Sequence, residues 1–177
     1  MKAAMTGGQD KVKKTVMILA NSSGGLYDFR NELVQKLLGE YRVVASLPDA
    51  VKTDLLEQEG VIIEHTPINR RGMNPAQDLT LMHAYELLMK KYHPDLVLTY
   101  TIKPNVYGGF VCRRMGIPYL PTITGLGSTF QKSGPLLFLV ERMYYEGLKK
   151  AACVFFQNEE NRQIFRRAGL VSGKDRL

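Results

Sequence analysis

The stretch Asn21–Gly25 (NSSGG) sets two adjacent glycines directly after the apolar run Thr15–Ala20 and directly before a helical pattern. Bare backbone at that junction fits two kinds of chemistry. It can form a strand-to-helix turn that needs positive φ or close helix–strand packing. It can also present free N–H groups at a helix start to an anion such as a phosphate. Gly24-Gly25 is not G-x-G-x-x-G, and no acidic residue is placed for a ribose, so dinucleotide binding does not follow from it.

Three further stretches carry reactive or binding side chains. TYTIKPNVYGG (Thr99–Gly109) gathers Thr101, Lys103, Asn105 and Tyr107 after a buried run. These groups suit a binding site, although Lys-Pro-Asn can simply start a helix and Gly108-Gly109 can permit close packing. NRRGMN (Asn69–Asn74) offers Arg70 and Arg71 as a phosphate or carboxylate clamp, or as a solvated pair. TGLGSTF (Thr124–Phe130) supplies Thr124, Gly125, Gly127 and Ser128, hydroxyls on a glycine-bearing loop. His65, His83 and His93 lie far apart, and Cys112 and Cys153 stand alone in apolar surroundings. No metal-ligand spacing is present, so no metal and no cofactor are expected. The cysteines read as structural, in a reducing cytosol.

Positioning those stretches requires alternating strands and helices. Strands are expected at Thr15–Ala20, Tyr41–Leu47, Val61–His65, Asp95–Thr101, Ile117–Ile123 and Cys153–Gln157. The fifth is the weakest, because Pro118 and Pro121 interrupt it. Helices are expected at Leu26–Gly39, Ala50–Glu59, Pro75–Tyr92, Pro104–Met115, Pro135–Lys150 and Glu159–Ala168. The first places Leu26, Phe29, Leu33 and Leu37 at helical spacing. Six such units imply an α/β fold: a Rossmann-like, doubly wound parallel sheet with helices on both faces. Right-handed crossovers would then gather the loops after the strands at the carboxyl edge of the sheet.

The 177 residues suit one globular domain with a sizeable core, spanning residues 11–177. MTGGQ resembles an expression-tag leader, so Met1–Asp10 are set apart as a disordered leader-like segment. The formal charge of +7 invites an anionic partner. Its dibasic pairs Lys90-Lys91, Arg113-Arg114, Lys149-Lys150 and Arg166-Arg167 fall at expected helix ends, where the helix dipole favours cations. No nucleic-acid motif accompanies them, so nucleic acid is not an expected partner. The helix PLLFLVERMYYEGLKK is apolar enough either to bury against the sheet or to lie on an anionic membrane surface.

In order and spacing, GGLYDFR, NRRGMNPAQDL, TYTIKPNVYGG, PTITGLGSTF and FFQNEENRQIF resemble the N-terminal domain of family 4, GT-B-fold glycosyltransferases of the capsular and surface-polysaccharide type, from Lys14 to Leu177. The resemblance implies two Rossmann-like domains facing across a cleft. The N-terminal one mainly holds the acceptor and the C-terminal one mainly holds the nucleotide sugar. It implies that Gly24 and Gly25 face the donor diphosphate or acceptor, and that no metal is required. It also implies a lipid-linked glycan acceptor at the inner membrane face, which suits Arg70, Arg71 and the apolar helix. Many members carry histidines where this chain has Thr99, Tyr100 and Thr101, so no histidine-assisted mechanism follows. The C-terminal domain, with its paired glutamates, is absent from this sequence.

The function expected is therefore the acceptor-binding half of a retaining glycosyltransferase, inactive alone, cytoplasmic and peripheral on the inner membrane. The catalytic residues stay unassigned. Two alternatives remain: a membrane-docking, acceptor-binding subunit of a two-chain enzyme, and a Rossmann-type nucleotide-sugar epimerase or oxidoreductase. The absent G-x-G-x-x-G and Tyr-x-x-x-Lys patterns weigh against the second.

Overall fold

The computed structural model describes residues 13–70, 72, 74–125, 134–171 and 173–177. Seven parallel strands form one sheet in the order β3-β2-β1-β4-β5-β6-β7. They are β1 (Thr15–Leu19), β2 (Arg42–Leu47), β3 (Ile62–His65), β4 (Leu96–Tyr100), β5 (Tyr119–Ile123), β6 (Val154–Phe156) and β7 (Asp175–Arg176). The chain starts in the middle, winds to β3, then crosses back to β4 beside β1. That reversal makes the β1/β4 pair, in register Val16↔Leu96 through Leu19↔Thr99, the switch point of a doubly wound sheet.

Helices α1 (Ser23–Glu40) and α2 (Thr53–Gln58) cover one face. Their core joins Leu26, Val34 and Leu56 to Val16, Ile18, Val43, Ala45 and Leu98. The opposite face carries α3 (Pro75–Tyr92), a single π-helical turn (Pro104–Gly108), α4 (Gly109–Met115), α5 (Pro135–Leu148) and α6 (Glu159–Arg167). Tyr85, Tyr119, Tyr144 and Phe165 fill that larger core. Cys112 lies within it, its thiol pushed up to about 12 by burial, and Cys153 is half-buried.

Several expectations need correction. Helix α1 begins at Ser23 rather than Leu26, so both glycines lie inside its first turn and neither has positive φ. Its buried stripe is Leu26 and Val34, whereas Phe29 and Leu33 are exposed. Two apolar stripes compete on this helix, and the sheet takes the one through Leu26 and Val34, two turns apart. The helix expected over Pro104–Met115 divides into the π turn and α4. Despite its prolines, β5 is an interior strand; its ladder with β6 begins at Thr122, after Pro121. The two-residue β7, paired to β6, was not foreseen. The expectation for Met1–Asp10 lies outside the described residues.

Candidate functional site

The carboxyl edge is built by the ends of β1 to β6 and the segments that leave them. After β1, Ser22 caps α1: its Oγ accepts from Gly25 N–H at 3.2 Å, and its carbonyl accepts from Leu26 N–H at 3.1 Å. Asp49, after β2, accepts from Ser23 N–H at 2.9 Å and from Ser23 Oγ, and it pairs with Arg70 on the loop after β3. Burial would raise the Asp49 carboxyl, but the Ser23 hydrogen bonds and the Arg70 guanidinium outweigh it and hold the group below its usual range. The helix start is thus largely satisfied from within. Of its first three N–H groups, only that of Gly24 has no hydrogen bond among the described residues.

The fold itself does not demand the glycines. A Cβ at Gly24 would meet only Ser22 Oγ at 3.8 Å, and one at Gly25 only Ser22 Cβ at 3.5 Å and Oγ at 3.8 Å. Close packing belongs instead to the later pair. A Cβ at Gly109 would fall 2.2 Å from the Gly147 carbonyl oxygen, and one at Gly108 2.7 Å from Leu19 Cδ1.

In front of Gly25 lies a cavity of about 320 Å³, bordered also by Asn21, Phe29, Arg30, Tyr100, Thr101, Thr124 and Gln157. Arg30 is its cation. Its guanidinium carbon stands 4.4 Å from the Tyr100 ring centroid, and it has no carboxylate partner among the described residues. In the orientation that satisfies both ends of its amide, Gln157 accepts from Arg30 Nη2 at 3.0 Å and donates to the Thr124 carbonyl at 2.9 Å. The guanidinium is thereby held across the ends of β4, β5 and β6. Burial raises the Tyr100 phenol, with Arg30 opposing, so the ring faces the cavity uncharged.

Thr101 closes the floor with φ 73°, a left-handed conformation costly for a β-branched residue, and its buried Oγ1 has no partner among the described residues. Such strain of roughly 1–3 kcal/mol persists where surrounding structure imposes it, often at a site. The cavity continues into a second, of about 250 Å³, which shares Asn21, Thr101 and Thr124 and adds Arg70, Lys103 and Gly125.

The structure therefore brings Gly25, Arg70, Thr101, Lys103, Thr124 and Gly125 to one trench, with Gly24 beside it. It does not bring Asn105 or Tyr107 there. Asn105 is buried, accepting from Thr99 Oγ1 at 2.7 Å and donating to the Thr122 carbonyl at 2.9 Å, a tie between β4 and β5. Tyr107 is buried beside Asp78, and its phenol is pushed up by burial first and then by that carboxylate. Lys103 reaches the trench but is already paired with Asp78 at 2.7 Å, in a bridge almost closed to solvent. Arg71, Gly127 and Ser128 lie outside the described residues. The sequence reading missed Arg30, Phe29 and Gln157. Arg30 had only one pointer in the sequence, its place five residues after Gly25, because the apolar stripe expected there ran through Phe29 and Leu33 instead.

The architecture is one Rossmann-like half of a GT-B fold, the class defined by two such domains around a cleft. A profile described as glycosyl transferase 4-like matches residues 16–158, and the chain belongs to that family. No curated protein matches it. Among solved structures, a glycosyltransferase from Rickettsia africae ESF-5 is 19% identical over 93% of this chain and 42% of that one, with TM-score 0.69. Anabaena Alr3699/HepE, solved in complex with UDP and glucose, is 19% identical over 90% of this chain and 43% of that one, with TM-score 0.64. A putative UDP-N-acetylglucosamine 2-epimerase from Listeria monocytogenes is 14% identical over 92% and 44%, with TM-score 0.63. At these identities the likeness shows the fold alone. The chain spans less than half the length of each.

Proposed function

We propose that this chain is the acceptor-facing domain of a glycosyltransferase that moves a sugar from a nucleotide-sugar donor to a glycan acceptor. The observation that carries this reading is the cavity at the switch point, where the dispensable Gly25 meets Arg30, an arginine with no carboxylate partner among the described residues. The Gly24 N–H and the Arg30 guanidinium face the donor diphosphate, whose developing charge they stabilise as it leaves. Arg70, Thr101, Thr124 and Gly125 face the acceptor. Arg71, Gly127 and Ser128 are assigned to the acceptor on the resemblance alone. A second Rossmann-like domain supplies most of the donor site, so the present chain alone transfers no sugar. No metal is required in this scheme, because N–H groups and cations carry the phosphate charge. The reaction retains the anomeric configuration, and the acceptor is lipid-linked in bacterial surface-polysaccharide assembly at the inner membrane face. The exposed Leu136, Phe138 and Leu139 of α5 support that last point.

Titrating the ¹⁵N-labelled chain with UDP-glucose at millimolar concentration tests the site. The amides of Gly24 and Gly25 and the Arg30 side chain should respond, and Arg30→Ala should weaken the response about tenfold, the scale of one charge-assisted hydrogen bond. A response confined to other residues would sink the assignment. The epimerase reading has the Listeria likeness in its favour, whereas the family match points to transfer.

A further inference from the structure

Beyond Arg70 and Lys103 the trench opens into a third cavity of about 490 Å³ to which the proposed reaction gives no occupant. It shares Ile68 and Lys103 with the second cavity, so the three form one run along the carboxyl edge. Its chemistry differs from that of the other two. The ionic groups in its wall, Lys103 and Asp78, neutralise one another at 2.7 Å. What remains is uncharged: aliphatic surface from Pro67, Ile68, Leu81 and Ala84, edged by the amide of Gln77 and the hydroxyl of Thr80.

Those polar groups are oriented. Gln77 Oε1 accepts from Asn69 Nδ2 at 3.0 Å, which fixes the amide plane and leaves its two N–H donors unused among the described residues. Thr80 Oγ1 donates to the Ala76 carbonyl at 3.0 Å and keeps its lone pairs as acceptors. An apolar wall beside neutral donors and acceptors matches a sugar ring, with its C–H face and its hydroxyls. It does not match a phosphate, and an alkyl chain would use the apolar wall but make no use of the Gln77 donors.

We propose that this cavity is a subsite for a second, uncharged sugar of the acceptor, whose minimum length is therefore two rings. The proposal rests on the acceptor-facing role of this domain. The acceptor-facing residues Arg70, Thr101, Thr124 and Gly125 line the second cavity, and the third meets it only at Ile68 and Lys103. An acceptor touching both Thr101 and Gln77 must therefore be longer than a monosaccharide.

The test probes the fluorescent chain with a printed array of neutral, phosphorylated and alkyl-tailed glycans, from one sugar upward. Neutral glycans of two or more sugars should be retained at least tenfold better than their single-sugar counterparts. That gain should fall to below twofold in Ala84→Trp, which fills the cavity, and by at least threefold in Gln77→Ala. Gln77 is exposed, so the second variant decides the matter should the first fail to fold. Three results overturn the proposal: no glycan is retained, only phosphorylated or alkyl-tailed ones are, or the gain survives in Gln77→Ala. A parallel UDP-glucose titration separates the two claims. Glycan retention without a response at Gly24, Gly25 and Arg30 keeps the subsite and sinks the nucleotide-sugar reading. The reverse pattern keeps that reading and sinks the subsite.

Discussion

Gly25 separates what the fold requires from what a ligand requires. Its backbone is helical, and a Cβ there meets nothing closer than 3.5 Å. Gly25→Ala should therefore stabilise the chain by about 0.4–1 kcal/mol, by narrowing the unfolded ensemble. The same methyl should lower UDP-glucose affinity at least fivefold, because it stands where the ligand approaches. Urea unfolding and the UDP-glucose titration read both effects; higher stability with unchanged affinity would remove the glycine from the site. Arg30 teaches the complementary lesson. Its place between Leu26 and Val34 gave no warning while Phe29 and Leu33 offered a rival stripe, and its use depends on Tyr100 and Gln157, distant in sequence. Lys103 looked free for the same reason: Asp78, its partner at 2.7 Å, lies twenty-five residues earlier.

At the scale of elements, legibility followed local chemistry. Helix α3 has the bounds expected, Pro75–Tyr92, because every stop signal is local. Asn74 caps it, Pro75 occupies its first turn, and His93 ends it in the left-handed conformation. The buried face of α1 was misassigned because Phe29 and Leu33 offer a second apolar stripe that only the sheet's position rejects. The π turn and the crossing of α5 over it were not legible, since both depend on backbone approaching backbone. A Cβ at Gly147 would stand 2.7 Å from Val106 Cα and 2.9 Å from its carbonyl oxygen. Gly147→Ala should thus cost about 3 kcal/mol, the upper range for overpacking. Gly39→Ala, helical and with nothing within 4 Å of its Cβ, should instead stabilise by about 0.4–1 kcal/mol. Urea midpoints of the two variants check this, and equal midpoints would show that α5 can shift.

For the whole molecule, charge and apolar surface divide between the two edges. Lys90, Lys91, Arg113, Arg114, Arg166 and Arg167 all sit in last helical turns, as the sequence suggested, away from the trench. No helix among the described residues is long and apolar enough to cross a membrane. The exposed apolar start of α5 (Leu136, Phe138 and Leu139) is the surface proposed to rest on lipid. Flotation with anionic liposomes should recover the chain at low salt. Recovery should drop severalfold at high salt and in Phe138→Glu. Recovery that ignores both salt and Phe138→Glu would return α5 to a purely structural role.

The tie of Asp49 to Ser23 and Arg70 has a kinetic consequence. Before any ligand arrives, this carboxylate already acts as an internal counter-ion, sitting on the helix start and on the loop arginine together. Lys103 is likewise answered by Asp78. Among the described residues of the trench, an incoming diphosphate therefore finds little more than the charge of Arg30 unanswered, despite the chain's excess of seven. Encounter is governed by shape and diffusion, and selectivity arises only once the ligand is seated.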